Sequence, residues 1–189
     1  QIVLPPLLAL QRQHPALHLT LSLDDRIADL VSEGVDVALR LSAEPPQSHA
    51  ARLLMRIETA LFAAPGFQAV HSVSELAAHP HVRFSGIPRD APLRLIAGEE
   101  TIDVKVHTVF RANTSDALLQ ALESGIGIGG MQLPLAAKAL QAGTLVPVLP
   151  AWRLPDRYLY AVYPDARFIP QRVRSMIQVI EQILPTLAK

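Results

Sequence analysis

The stretch from Phe110 to Gly130, Phe-Arg-Ala-Asn-Thr-Ser-Asp-Ala-Leu-Leu-Gln-Ala-Leu-Glu-Ser-Gly-Ile-Gly-Ile-Gly-Gly, leaves few choices of fold. Asn113, Thr114 and Ser115 are residue types that cap a helix, because their side-chain oxygens accept from the free N–H groups of its first turn. Ala117, Leu118, Ala121 and Leu122 then recur at helical spacing, and Gly125 stands where a helix closes in a left-handed residue. The order strand, cap, helix, glycine, strand predicts a helix that starts beside the carboxyl edge of a strand. In open α/β sheets that edge is where ligands bind, facing unpaired N–H groups and the positive end of the helix dipole.

Residues 17–41 repeat the order. Leu17-His-Leu-Thr-Leu-Ser-Leu23 alternates apolar and polar residues without a break, which predicts a strand with one buried face. Asp24 and Asp25 begin a helix that Gly34 ends, and residues 35–41 return as a strand. Two such units predict two small α/β lobes with a cleft between them.

The remaining segments fit around this plan. Leu4-Pro-Pro opens a helix running to His14, with prolines in its first turn and Pro15 past its end. Residues 42–49 form a loop, and residues 52–63 extend to the Pro65-Gly66 turn. A short helix at 74–78 follows, then strands at 81–84, 93–96, 101–105 and 109–112, the capped helix, a strand at 126–131 and a helix at 133–141. Gly98 with Glu99 and Glu100 marks a hairpin turn. The proline-flanked residues 152–156 read as linker, 157–163 as a strand, and 170–184 as a helix with Val173, Ile177, Ile180 and Leu184 on one face. The two-residue period places Tyr158 and Tyr160 on one face of that strand and Tyr163 on the other. The first lobe spans residues 1–63 and 164–189, and the second spans 64–163.

Composition narrows the function classes. A chain of 189 residues can build two lobes of the ordinary domain range. Its 17 basic and 17 acidic side chains cancel, so no electrostatic footprint points to nucleic acid or to an anionic membrane. Half the residues are hydrophobic, yet no run approaches the ~20 apolar residues that span a bilayer. With no cysteine there is no disulfide, thiolate metal site or cysteine nucleophile. The opening Gln1-Ile-Val-Leu, without an initiator Met or a signal sequence, reads as a piece of something longer.

Chemical motifs are sparse. Gly125, Gly127 and Gly130 match G-x-G-x-x-G in spacing, but a dinucleotide fingerprint follows a strand and opens a helix, and here a helix precedes and a strand follows. Packing and helix termination are the better reading of these glycines, and no cofactor is expected. Of the seven histidines only His79 and His81 are close in sequence, without a third ligand, so no metal is expected. No Gly-x-Ser-x-Gly elbow is present, and no catalytic residue is assigned. Arg40, at the carboxyl end of its strand, suits either a carboxylate ligand or pairing with Asp36 or Glu44.

The segments Val31-Ser-Glu-Gly-Val-Asp-Val-Ala-Leu-Arg-Leu41, Ala64-Pro-Gly-Phe67, Val73-Ser-Glu-Leu-Ala-Ala-His79 and Ala121-Leu-Glu-Ser-Gly-Ile-Gly-Ile128 resemble, in order and spacing, the effector-binding domain of LysR-type transcriptional regulators. Leu140-Gln-Ala-Gly-Thr-Leu-Val-Pro-Val-Leu149 and Leu159-Tyr-Ala-Val-Tyr-Pro164 extend the resemblance over nearly the whole chain. It implies two Rossmann-like lobes joined by crossing strands, a periplasmic-binding-protein-like fold of type 2. It also implies a small-molecule inducer in the cleft, a cytoplasmic homodimer that becomes a tetramer at full length, and DNA contact only through an upstream winged helix-turn-helix. The sequence holds no counterpart of that upstream domain, nor of the opening strand of the first lobe with its Ser/Thr-bearing loop.

The expected ligand, a small and anionic inducer, should meet Arg40, Leu41 and Ser42, then Ser85, then Asn113, Thr114 and Ser115, and finally Gly130, Met131 and Gln132. The resemblance implies an antiparallel dimer, with Leu7, Leu10, His18, Thr20 and Ser22 of one chain meeting Leu119 and Gln120 of the other. The alternative is a periplasmic solute-binding protein, which shares the two-lobe plan. An enzyme of the doubly wound class would need a catalytic constellation that the sequence does not contain.

Overall fold

The computed structural model describes residues 3–23, 29–46, 50–165 and 169–187. In chain order these form α1 (Leu4–Gln13), β1 (Ala38–Ser42), β2 (Ala50–Ala63), a 3-10 turn (Val73–Ala78), β3 (Pro80–Phe84), β4 (Leu93–Ala97) and β5 (Glu100–Val104). Then come β6 (His107–Ala112), α2 (Ser115–Glu123), β7 (Ile128–Gln132), α3 (Leu133–Ala142), β8 (Val146–Val148), β9 (Leu154–Tyr163) and α4 (Gln171–Leu187). The chain divides into two compact units, Gln1–Ile57 with Arg157–Lys189, and Glu58–Asp156. The crossings therefore fall inside β2 and β9, six or seven residues before the positions expected from sequence, because an unbroken strand offers no punctuation where a domain boundary passes through it.

Unit 1 has strand order β1-β9-β2, with β1 antiparallel to β9 from Ala38↔Val162 to Ser42↔Tyr158. The two-residue period sorts β9 cleanly. Leu159, Ala161 and Tyr163 face Val173, Ile177, Ile180 and Leu184 of α4, while Tyr158, Tyr160 and Val162 pack with Leu30 and Val35 on the other side. The expected split of the three tyrosines therefore holds. Residues 30–35 close like a helix end: Val35 N–H reaches Leu30 O at 2.9 Å, Gly34 N–H reaches Val31 O at 3.2 Å, and Gly34 takes φ 63°. The acidic cap expected at Asp24 and Asp25 lies outside the described residues.

One expected strand is absent. Residues 17–23 carry no strand, and Leu19, Leu21 and Leu23 are exposed. Alternation supplies a face to bury, but a strand also needs a neighbour to take its N–H and C=O groups, and no described strand lies in ladder with this one. Leu7 and Leu10 also depart from expectation. Both are buried inside unit 1, where α1 packs on α4, so neither is available to a partner chain. The apolar surface that α1 leaves exposed is Leu4 and Leu8.

Unit 2 has strand order β2-β7-β3-β6, with β8 paired to the other side of β2 and a separate β4–β5 hairpin turning at Gly98, φ 59°. β7, β3 and β6 are parallel to one another, whereas β2 runs antiparallel to β7. Phe62, Val82, Leu118, Leu122, Met131 and Ala136 form the core under α2 and α3. A second cluster of Leu61, Leu76, Leu95, Ile128 and Leu154 fills the other face. The segment expected as linker at 152–156 instead bridges to β4 at Arg153 and enters β9 at Leu154. Arg153 exchanges backbone hydrogen bonds with Ile96 at 2.8 and 2.9 Å, and β9 starts at Leu154, so that Pro155 occupies a strand's beginning, where its missing N–H is tolerated.

Candidate functional site

Three parallel strands of unit 2 bring their carboxyl ends to one edge: Gln132 of β7, Phe84 of β3 and Ala112 of β6. Ser85, just past β3, donates its N–H to Ala112 O at 2.8 Å and so stands beside the start of α2. Two helices begin on this edge. α2 has Thr114 as N-cap, in extended conformation, with its Oγ1 accepting from Ala117 N–H at 3.4 Å. α3 starts directly after β7, with Gln132 as N-cap, no side-chain cap and a proline in its first turn. N–H groups of both first turns are left for water or a ligand, and both dipoles present their positive ends. Asp116 offsets part of that field in α2.

The structure gathers Ser85, Asn113, Thr114, Ser115 and Gln132 on this edge. Asn113 and Thr114 are exposed, and Ser115 and Gln132 are half-buried. Met131 does not belong to it. At 1 % exposure it sits in the core under α2 and α3, because consecutive strand residues face opposite sides and Met131 takes the inward one. Gly130 is in close contact with Leu154 of the second cluster, which makes it a packing glycine. In unit 1, Arg40, Leu41 and Ser42 lie on β1, Leu41 is exposed, and Ser42 Oγ accepts from Glu44 N–H at 3.3 Å. Asp36, one partner considered for Arg40, pairs with Arg172 at 3.0 Å.

The glycines of the 125–130 run are structural. Gly125 takes φ 71° and ends α2, with Ile126 N–H on Ala121 O at 3.1 Å and Gly125 N–H on Leu122 O at 3.0 Å. A Cβ on Gly129 would lie 2.6 Å from Val82 O, and one on Gly127 would press on Pro80 O. His79 and His81 are both buried. His81 Nε2 donates to Leu76 O at 2.9 Å, and burial holds its pKa down at about 4 from an ordinary 6.5. A neutral imidazole tied to a backbone carbonyl is a core histidine.

Sequence reasoning passed over two features. Thr59 pairs in register with Gln132, is 9 % exposed, and its Oγ1 has no hydrogen-bond partner among the described residues. Its only signal is a hydroxyl within the apolar end of β2. Arg83 and Arg111 are in-register neighbours on β3 and β6, and Arg111 Nη2 donates to Ser85 O at 2.7 Å. Charges inside strands ordinarily read as a solvent face, and nothing local announces that these two lie together.

Parallel strands whose carboxyl ends meet helix starts define the class of α/β domain that holds small molecules at a sheet edge. A sequence profile of the LysR substrate binding domain matches residues 1–185, and the chain belongs to that family. Among curated relatives it is 31 % identical over 195 residues to the uncharacterized HTH-type transcriptional regulator YhjC of Escherichia coli, covering 97 % of this chain and 63 % of that protein. It is 30 % identical over 189 residues to the E. coli regulator DmlR, covering 96 % of this chain and 61 % of that one. The chain spans about three-fifths of these relatives. Both are named as regulators, which disfavours the solute-binding alternative. Among solved structures, the regulatory domain of CrgA from Neisseria meningitidis superposes with a TM-score of 0.81 at 23 % identity, covering 97 % of this chain and 92 % of that one. Full-length AphB from Vibrio cholerae gives 0.79 at 24 % identity, covering 94 % and 62 %. These likenesses establish the type 2 periplasmic-binding-protein-like fold.

Proposed function

We propose that this chain is the effector-binding and dimerisation part of a bacterial LysR-type regulator, working in the cytoplasm as a ligand-controlled switch without a catalytic step. The observation that carries the reading is the edge of unit 2, where two helix N-termini, Ser85, Asn113, Thr114, Ser115 and Gln132 converge near the buried hydroxyl of Thr59. Convergent N–H groups and hydroxyls suit a small anionic effector. An effector alters the output only in so far as it binds one conformation better than another, so the switch is a shift of population. DNA is contacted through a helix-turn-helix of the longer protein, and the assembly is a homodimer, tetrameric at full length. Exposed Leu4 and Leu8, with His18, Thr20 and Ser22, form one proposed half of the dimer face, and Leu119 and Gln120 the other.

The test is calorimetric titration of the chain with small carboxylates, amino acids and aromatic acids, followed by Thr114→Val. The loss of one hydroxyl contact to a charged ligand should weaken binding about tenfold or more, while the lost cap costs about 1 kcal/mol of stability. Equal affinity in both proteins would remove α2 from the site.

A further inference from the structure

Arg83 and Arg111 are Cα partners on the parallel strands β3 and β6, so their side chains leave the same face of the sheet as neighbours. That face is not the one covered by α2, because Val82, the preceding residue, is the one that packs there. Arg83 is only 7 % exposed, and its pKa is lowered first by burial and then by the charge of Arg111. Like charges side by side on a sheet oppose folding unless something neutralises them. Glu181, Asp103, Asp156 and Asp36 pair with Arg52, Arg94, Arg153 and Arg172, and the charge that acts on Arg83 is that of Arg111.

Among the described residues, backbone carbonyls alone hold the two guanidiniums. Arg83 donates to Ala91 O at 2.6 Å and Pro92 O at 3.3 Å, and Arg111 donates to Ser85 O at 2.7 Å and to Ile87 O. Carbonyls accept protons but do not cancel charge. The Nη1 of Arg111 is buried with no acceptor among the described residues. The nearby groups acting on His81, namely His79, His107 and Arg83, are all basic. A purely structural role for the pair, pinning residues 85–92, accounts for the carbonyl bonds but not for a second unneutralised charge or the orphaned Nη1.

We propose that Arg83 and Arg111 form an oxyanion site in unit 2, on the face of the sheet opposite α2. Two adjacent planar forks match the oxygens of a sulfate, a phosphate or a carboxylate, and the anion would accept from Arg111 Nη1 and neutralise both guanidiniums. The oxyanion is either a free inorganic ion or the acid group of an organic molecule.

The experiment is thermal unfolding and calorimetric titration of the chain in sulfate, phosphate, acetate or succinate against chloride at matched ionic strength, above the histidine range. At least one oxyanion should raise the melting temperature beyond chloride. A saturable calorimetric response to sulfate and phosphate alone identifies an inorganic ion, because the general stabilisation that these salts give every protein does not saturate, and a saturable response to acetate or succinate identifies an organic acid; either supports the site. Arg111→Gln should abolish the increment, and Arg94→Gln, at an exposed ion pair elsewhere in unit 2, should keep it. Where Arg111→Gln fails to fold, Arg111→Lys keeps the charge without the fork and should bind the oxyanion about tenfold more weakly or worse. The proposal is overturned by a wild type that responds as it does to chloride. It is equally overturned by an increment that survives Arg111→Gln or by unchanged binding in Arg111→Lys. An increment lost in Thr114→Val but kept in Arg111→Gln would assign the anion to the helix cap instead.

Discussion

A single side chain, His81, couples the core of unit 2 to pH. Its folded pKa lies near 4 and its ordinary value near 6.5, chiefly because burial disfavours the charged ring. Above 6.5 both the folded and unfolded chains leave it neutral, and its contribution is complete. Between 6.5 and 4 the unfolded chain takes up a proton that the folded chain refuses, so stability falls as the pH falls and levels off below about 4. The loss over this window is about 3 kcal/mol, on the scale of 1.36 kcal/mol per pKa unit. Urea unfolding across the window should show that slope, and His81→Gln should flatten it. An identical slope in the variant would mean that other groups set the pH response.

At the scale of elements, β7 and β3 approach more closely than most side chains allow. Gly129 lies 2.6 Å, by its ideal Cβ, from Val82 O and 3.1 Å from Leu122 Cδ2, so Gly129→Ala must push β7 off β3 or displace α2. Overpacking of this kind costs ~1–3 kcal/mol. Gly66→Ala, with nothing within 4 Å of the new methyl, should change stability by less than about 0.5 kcal/mol. Denaturant midpoints that fail to separate the two variants would refute the close approach.

Elements announced by local chemistry were legible in the sequence. Thr114 and Gly125 bracket α2, Gly98 turns the β4–β5 hairpin, and the stripe Val173, Ile177, Ile180, Leu184 is the buried face of α4. Elements defined by a distant partner were not. The alternation at 17–23 lacked a neighbour to pair with, β8 is three residues with a proline in the middle, and residues 153–156 are extended chain whose partner, Ile96, lies far off in sequence. The candidate site divides in the same way. Its helix caps were visible, whereas Thr59, Met131 and the Arg83–Arg111 pair depend on ladder register and on which side of a strand each residue faces.

For the molecule as a whole, each unit carries its own hydrophobic clusters, and this predicts unequal responses to a core deletion. Ile180 is fully buried, and Ile180→Ala should cost ~2–5 kcal/mol. In hydrogen exchange, amides of β1 and α4 should lose protection while those of β3 and β7 keep most of theirs. Equal loss in both units would mean that they open as one cooperative body.

The division of unit 1 into two stretches of chain also sets an order of manufacture. Residues 58–156 leave the ribosome as one uninterrupted piece, complete in sequence before α4 is synthesised. Leu7 and Leu10 are made before unit 2, yet the helix that packs against theirs is made after it, so α1 waits uncovered through the translation of the other unit.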